Sequence, residues 1–386
     1  MLSTLYRYLA REILSAFFLG LIIFTGVLLM GRMLRLADMV VSKGVPLADV
    51  LIMIVYLLPN FAIITIPMSL LFAVLIAFSR LSGDSEITAI KAGGISLYKI
   101  FPPVLVISLA AYALTALTAL YALPKCSIAF KNLLYHSIQG RLSLNLKEQV
   151  FNSDIPGILI YITNNSGRSG LLSGIMVQDE RNAKDVSTIF AKTGSVDMDD
   201  NSKNIRLHLF DGSIHQLRPK DSYRLIGFKE YDLEFDLSKT AGSFEKNELD
   251  MTLTEIRQNL KKGGFPKKLT QDMSLEVHRR FAMPFACFIF AIIAVPLGIQ
   301  NRRSGKAAGF SLSVITLITF YIFQSTGRSL AEKELLTHFM AAWLPNFIFL
   351  AAGIYLFVKT ANEERVTIID RIAAALSQLF KKARPS

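Results

Sequence analysis

The chain has 386 residues, 52% of them hydrophobic, and a mean hydropathy of +0.41. A soluble domain of this size is rarely so apolar, so the composition favours a membrane protein over a soluble enzyme. The formal net charge of +12 does not require a nucleic-acid partner, because much of it lies in short segments beside the apolar stretches.

Six apolar segments are each long enough to cross a bilayer, which takes about 20 residues in a helix. They are Ile13–Met30, Val50–Phe78, Ile100–Leu123, Phe281–Ile299, Ala308–Gln324 and His338–Val358. No small-residue cleavage site follows the first, so we expect an uncleaved span rather than a signal peptide. Pro124 is expected to end the third span.

The basic residues of the short connections set the expected orientation. With both termini in the cytoplasm, fourteen lysines and arginines lie on the cytoplasmic side and five lie in the two short outer loops. The cytoplasmic set is Arg7, Arg11, Arg80, Lys91, Lys99, Arg302, Arg303, Lys306, Lys359, Arg365, Arg371, Lys381, Lys382 and Arg384, and the outer set is Arg32, Arg35, Lys43, Arg328 and Lys333. The same orientation puts the polar insert between the third and fourth spans outside.

That insert, residues 124–277, has the two-residue period of β-strands after a short helix predicted at Lys131–His136. Residues 205–209 and 233–237 alternate apolar and polar side chains, and the Asp211-Gly212 pair predicts a hairpin turn. Several short strands of this kind are typical of a β-sandwich or an open barrel.

The sequence carries no recognisable catalytic motif. Gly305-Lys306 is followed by Ala307 rather than Ser or Thr, and no Gly-x-Ser-x-Gly motif occurs. His208 and His215 are expected to face each other across the hairpin, and without a carboxylate or cysteine partner we expect no metal site. The apolar cores are almost free of charge, unlike those of ion-coupled pumps, so a transporter of this kind must take its energy from elsewhere.

The cytoplasmic segment near residues 84–93 has the pattern of a short docking helix. An acidic residue can begin a helix, two isoleucines give it an apolar face, and a glycine pair provides a stop. The residues expected to couple to a cytosolic partner are Ser85, Glu86, Ile87, Ile90, Lys91 and Gly93. A solvated connecting loop is the alternative that the composition leaves open.

This segment resembles the coupling-helix motif of the LptF/LptG permeases of lipopolysaccharide export, and the resemblance extends over essentially the whole chain. The residues that carry it are Lys43-Gly-Val-Pro46, Tyr56-Leu-Leu-Pro59, Ser85-Glu86, Val295-Pro-Leu-Gly298 with Arg303 to Phe310, and Trp343-Leu-Pro-Asn346. The Lys43–Pro46 stretch and the sequence around Glu86 are more similar to the LptF branch of the family than to the LptG branch.

The resemblance implies a membrane α-helical fold with six transmembrane helices in a 3+3 arrangement and an inserted periplasmic all-β, jellyroll-like domain. The implied domains are spans one to three in residues 1–123, the β-domain in 124–277, spans four to six in 278–360, and a cytoplasmic tail in 361–386. The implied location is the bacterial inner membrane.

The resemblance also implies a function and partners. Such permeases pair as an LptF–LptG heterodimer on two copies of an LptB-like cytosolic ATPase, extract lipopolysaccharide, and pass it to an LptC-like bridge protein. The chain itself is then not an enzyme and holds no cofactor, since ATP and magnesium belong to the partner ATPase. Lipid is expected to enter between span one of one subunit and span five of the other.

Two residue sets are expected to contact the lipid. Arginine forms bidentate contacts with phosphate, and the outer arginines at the helix ends are Arg32, Arg35 and Arg328. Alternatively, these arginines only extend their side chains to ordinary lipid headgroups, as most arginines at helix ends do. The expected lipid path through the β-domain is the apolar strand face of Leu207, Leu209, Leu233 and Phe235, which could equally form a closed core.

Other functions fit parts of the sequence. An ABC permease for another lipid or a lipoprotein would share every feature described, and a membrane tether with a periplasmic binding domain would share the insert. A tether needs one helix, so several proline-containing spans count against it. A membrane enzyme is the weakest alternative, since no catalytic constellation is present.

Overall fold

The structure of the chain is a computed structural model. It describes residues 2–41, 45–142, 148–155, 157–165, 171–180, 187–199, 204–218, 222–236, 247–300 and 305–363. The chain divides into two compact units. The first comprises Met1–Met33, Leu57–Cys126 and Glu248–Ser386, and the second comprises Leu34–Tyr56 and Ser127–Asn247.

Long helices account for most of the first unit, and three of them extend into the second. The helices are α1 (Leu2–Val41), α2 (Leu47–Gly83), α3 (Glu86–Ala92), α4 (Leu97–Ile100), α5 (Pro102–Leu117), α6 (Leu123–Leu142), α7 (Leu253–Lys262), α8 (Lys267–Gln300), α9 (Gly305–Glu332) and α10 (His338–Ala361). In the described part of the chain, five helical stretches are long and apolar enough to cross a membrane: Leu2–Leu34, Leu47–Gly83, Pro102–Leu134, Lys267–Ile299 and His338–Ala361. The remaining predicted span coincides with α9, which is not among those five, so the count of six stays a prediction.

The third span does not end at Pro124, so that expectation was wrong. A π-helical turn at Thr118–Ala122 follows α5, and α6 then continues through Pro124. Proline lacks an N–H group and its ring clashes with the carbonyl four residues earlier, and the wider π turn just before it relieves that clash. The helix predicted at Lys131–His136 is therefore part of α6.

Small residues let the helices of the first unit approach one another closely. A Cβ added to Gly298 of α8 would lie 2.7 Å from the Cβ of Phe78 on α2. A Cβ added to Gly353 of α10 would lie 2.8 Å from the side chain of Ile293 on α8. The central layer of α2, α8 and α10 is thus set by backbone-to-side-chain contact, which leaves little free volume.

The second unit contains an antiparallel sheet. Its strands are β1 (Phe151–Ile155), β2 (Ile158–Asn165), β3 (Leu171–Asp179), β4 (Ser187–Asp199), β5 (Asn204–Arg218) and β6 (Ser222–Asp236). They pair in sequence order, β1-β2-β3-β4-β5-β6, which is a simple meander. A jellyroll needs two sheets, and the described strands form one, so the jellyroll-like arrangement remains a prediction.

The Asp211-Gly212 pair is not a hairpin turn, which corrects the sequence prediction. It lies inside β5, and β5 keeps one register with β4 and one with β6 on both sides of it. Asp211 has a φ of 51°, so the strand bends there without reversing. Gly212 is required at this bend, because a Cβ would lie 2.2 Å from the carbonyl oxygen of Phe190 on β4.

The bend changes which side chains of β5 face the sheet core. Leu207 and Leu209 are buried before it, and Ile214 is buried after it, so the inward positions change from odd to even numbers. Leu233 of β6 is buried in the same core cluster. The apolar alternation predicted for these strands is thus confirmed, while the side chain of Phe235 lies outside the described residues.

Candidate coupling segment and outer helix ends

The predicted docking helix is present as α3, and its ends follow from local backbone geometry. Ser85 precedes it with a φ of 60°, and the Ser85 hydroxyl makes no capping hydrogen bond. The Gly93 N–H donates to the carbonyl of Ala89 at 3.0 Å, and Gly94 then takes a φ of 80° that ends the helix. The solvated loop that the composition left open is therefore excluded for Glu86–Ala92.

The apolar face of α3 is directed into its own helical bundle. Ile87 is 2% exposed, and Ile90 packs against the same core cluster. The hydrophobic gain of burying Ile87 is therefore already made within the chain, and its coupling to a partner stays a prediction. The face of α3 left exposed carries small side chains, Thr88, Ala89 and Ala92.

The charged residues of this segment are held by other helices. Both carboxylate oxygens of Glu86 accept hydrogen bonds from the Tyr8 hydroxyl on α1, at 3.0 and 3.2 Å. The Lys91 ammonium donates to Glu363, just after α10, at 3.2 Å. The coupling segment is thus tied to two of the long helices, and sequence reasoning had found neither partner.

A second contact joins α1 to α2 beside the first. The Arg80 guanidinium donates a hydrogen bond to Glu12 of α1, and its Nε lies 3.5 Å from the Asp84 carboxylate. Arg80 is about one-third exposed and Glu12 less so, so the pair is partly shielded from solvent. Such a charge-assisted contact is stronger than one between neutral groups.

The three outer arginines have different surroundings. Arg32 is exposed on α1, as a phosphate contact would require. The side chain of Arg35 lies outside the described residues. Arg328 donates to Glu332 at 2.9 Å and to Asp272 of α8 at 3.4 Å, so a phosphate there would compete with two carboxylates.

Glu334, in the turn after α9, forms an ion pair with Lys267 at the start of α8. The Lys267 ammonium lies 2.6 Å from the carboxylate of Glu334, and its charge and hydrogen bond hold the pKa of Glu334 below its usual range. Lys267 and Glu334 also line a cleft of about 540 Å³. The helix ends predicted to lie outside therefore carry ion-paired charges as well as the exposed Arg32.

The predicted apolar face of the β-domain is buried at Leu207, Leu209 and Leu233. Leu207, Leu209 and Leu233 contact other buried residues of the sheet core. A cleft of about 960 Å³ lies beside the bend of β5, lined by Lys192, Asp211 and Lys229 together with aromatic side chains. A lipid path along the apolar face would need this packing to open.

The two histidines expected to face each other lie on one strand, so that prediction was wrong. His208 Nδ1 lies 2.5 Å from the Asp232 carboxylate on β6, and His215 contacts the hydroxyl of Tyr223. The separation follows from the continuity of β5 through Asp211. Each histidine is engaged by a cross-strand neighbour instead.

A buried ion pair was missed by the sequence analysis. Arg280, near the start of the predicted fourth span, is 1% exposed and donates to Glu276 at 3.1 Å. It also donates to the carbonyls of Met251 at 2.8 Å and Glu248 at 2.9 Å. Glu276 and Arg280 are four residues apart on α8, a spacing that would have signalled the pair.

Long apolar helices, an inserted antiparallel sheet and a short helix just after α2 define a multi-pass membrane protein with a separate β-domain. The chain matches the family described as lipopolysaccharide export system permease LptF/LptG over residues 7–359. It therefore belongs to the LptF/LptG family, as the motifs indicated.

Individual relatives agree with that assignment at low identity. The chain is 22% identical to the lipopolysaccharide export system permease protein LptF of Escherichia coli (strain K12), over 91% of this chain and 93% of the relative. LptF of Shigella flexneri gives the same values. An uncharacterized protein of Rickettsia prowazekii (strain Madrid E) is also 22% identical, over 92% of this chain and 98% of that protein.

Proposed function

We propose that the chain is the LptF-like permease subunit of an ABC transporter that extracts lipopolysaccharide from the inner membrane and passes it to a periplasmic bridge. Its partners are an LptG-like permease, an LptB-like ATPase dimer and an LptC-like bridge protein. ATP and magnesium are bound by the ATPase, and this chain takes no part in hydrolysis. Family membership over residues 7–359 is the observation that carries the proposal.

The coupling segment supports this role physically. Helix α3 anchors Ile87 in the bundle and leaves Thr88, Ala89 and Ala92 exposed, so a partner can approach its backbone closely. We expect the ATPase to bind this face and the exposed edge of Glu86, whose carboxylate can accept further hydrogen bonds beyond those from Tyr8.

Purified heterocomplex in proteoliposomes tests the proposal directly. Lipopolysaccharide should be released to a soluble periplasmic acceptor in an ATP-dependent way, and mass spectrometry of the co-purified lipid should identify lipopolysaccharide. Recovery of a different lipid or of a lipoprotein would show that lipopolysaccharide is not the cargo. A chain that co-purifies with no ATPase would instead be a tether.

A charge reversal tests the coupling segment. Glu86→Lys removes the acceptor for Tyr8 and places a positive charge on the surface expected to meet the ATPase, so assembly or lipid release should fall at least tenfold. Glu230→Lys, an exposed reversal on β6, is the matched control and should behave like the parent. Normal assembly and transport in Glu86→Lys would contradict the coupling role.

The proposed orientation places both termini in the cytoplasm and the β-domain in the periplasm. A cysteine at Lys229, which is exposed on β6, should react with a membrane-impermeant maleimide added to intact spheroplasts. A cysteine at Thr88 on α3 should react only after lysis. Labelling in the opposite order would overturn the orientation.

The lipid contacts are proposed at two places. A photo-crosslinking residue at Leu207 should capture lipopolysaccharide during ATP hydrolysis if the packed face of the sheet opens, and should capture only its own chain if that core stays closed. At the outer helix ends, Arg32→Ala should lower lipid release roughly tenfold, since one charged contact contributes about 1.5–3 kcal/mol. Arg32→Lys should be intermediate, whereas snorkelling predicts that lysine works as well as arginine.

A further inference from the structure

The first helix is more completely packed near its beginning than in its middle. Leu9 and Ile13 in its cytoplasmic part are 0% exposed. Farther along, Ile22, Val27 and Met30 are each more than 60% exposed. The helix is therefore fixed to the bundle near its beginning. Beyond Ile13 it keeps contacts with α2, since the Phe24 ring packs against Phe72 and Thr25 donates to Thr65 at 3.2 Å, but one side of it is exposed.

The polar contacts of α1 with the coupling region are all at the packed end. Tyr8 and Glu12 are four residues apart and so lie on one face of the helix. Tyr8 donates to Glu86 at 3.0 Å, and Glu12 accepts from Arg80 at the end of α2. Arg80 also lies 3.5 Å from Asp84, so these residues form one continuous cluster from α1 to the start of α3.

We propose that Tyr8, Glu12 and Arg80 are positioning residues that make α1 move with the coupling helix α3. A partner that displaces α3 would then tilt α1 from its base. Glu12 and Arg32 are about 30 Å apart along a helix. A tilt of α1 about its base therefore moves the end near Arg32 several times farther than it moves Glu12. This inference rests on the proposed function, because it assumes that an ATPase moves α3.

The cluster contains what such a linkage needs. Two contacts of different chemistry join α1 to the region around α3, and the charged pair Glu12–Arg80 is partly shielded from solvent. Buried Leu9 and Ile13 sit next to both contacts on α1 and provide a fixed support. Val27 and Met30 farther along the same helix are more than 60% exposed, so this stretch is less constrained by the chain than the base is.

Distance measurements between spin labels test the linkage without any lipid substrate. A label at Gly31 is tolerated, since a Cβ there meets nothing within 4 Å, and a reference label goes at Lys333 in the turn after α9. In the assembled parent complex, ATP binding should shift the Gly31–Lys333 distance. In Glu12→Gln and Tyr8→Phe that shift should shrink, although the ATPase still binds and hydrolyses ATP.

Transport stoichiometry gives the second readout. Lipid released per ATP hydrolysed should fall about three- to tenfold in Glu12→Gln and further in the double variant with Tyr8→Phe. The reciprocal exchange Glu12→Arg with Arg80→Glu should restore the ratio that either single reversal abolishes. Tyr6→Phe is the matched control, because residues two apart on a helix do not share a face.

The outcomes separate this inference from the proposed function. A parent complex that releases no lipid but shows the nucleotide-dependent shift would defeat the transport assignment and leave the linkage supported. An unchanged shift in Glu12→Gln, Tyr8→Phe and their double variant would defeat the linkage while transport stands. Failure of the reciprocal exchange to restore the ratio, or loss of ATPase binding in Tyr8→Phe, would also count against it.

Discussion

Arg280→Met removes the largest of the fully buried side chains that the structure describes. The arginine is 1% exposed, and the variant leaves the Glu276 carboxylate, itself 6% exposed, without its main partner. Two backbone carbonyls, those of Met251 and Glu248, lose their donor as well. Methionine keeps much of the side-chain volume, so the effect reports lost polar contacts rather than a cavity.

The expected magnitude follows from the buried pair. Removing one partner of a buried ion pair costs about 3–5 kcal/mol, because the remaining charge stays desolvated. Arg279 lies 3.6 Å from Glu276 and can take over part of the pairing, which favours the lower end of that range. Since every 1.4 kcal/mol is a factor of ten, local opening should become at least about a hundredfold more frequent.

Hydrogen exchange in detergent measures that opening. Amides of residues 248–256, which Arg280 ties to α8, should exchange about a hundredfold faster in Arg280→Met, while those of α2 change little. Arg257→Met, at an exposed position on α7, is the control. Adding Glu276→Gln should recover part of the loss, because it removes the unpaired charge. Unchanged exchange at 248–256 would refute the reasoning.

Two glycine substitutions test the packing of each unit. Gly212→Ala should destabilise the β-domain by about 1–3 kcal/mol, since its Cβ would overlap the Phe228 ring at 2.4 Å, whereas Gly227→Ala meets nothing within 4 Å and should be neutral in thermal unfolding. Gly298→Ala should lower the melting temperature of the helical unit by forcing α2 and α8 apart, and Gly26→Ala, in open surroundings, should not. Equal melting temperatures within either pair would contradict the corresponding contact.

The glycines show why such positions escape sequence analysis. Gly212 and Gly227 are both strand glycines of β5 and β6, yet only one has a neighbouring backbone oxygen within 2.2 Å of an added Cβ. The difference depends on which strand lies beside it and in what register. Neither the neighbouring strand nor its register can be deduced from the residues on either side of the glycine.

The sequence alone predicted those features that depend on short-range chemistry. Apolar length located five of the six predicted spans, because the hydrocarbon core fixes how many residues a helix needs. The two-residue period identified Leu207, Leu209 and Leu233 as inward-facing, because strand geometry alternates side chains. The acidic start and the glycine stop located α3, since helix ends are set by the few residues around them.

Tertiary structure alone decided what depends on residues far apart in the chain. Asp211-Gly212 has the local chemistry of a hairpin, but pairing with β4 and β6 on both sides keeps the strand running through it. From sequence alone Arg328 is a candidate phosphate ligand, but in the structure it donates a hydrogen bond to Asp272, 56 residues away. Ile87 faces inward for the same reason: local patterns define which groups a residue offers, and the packing of distant elements determines what meets them.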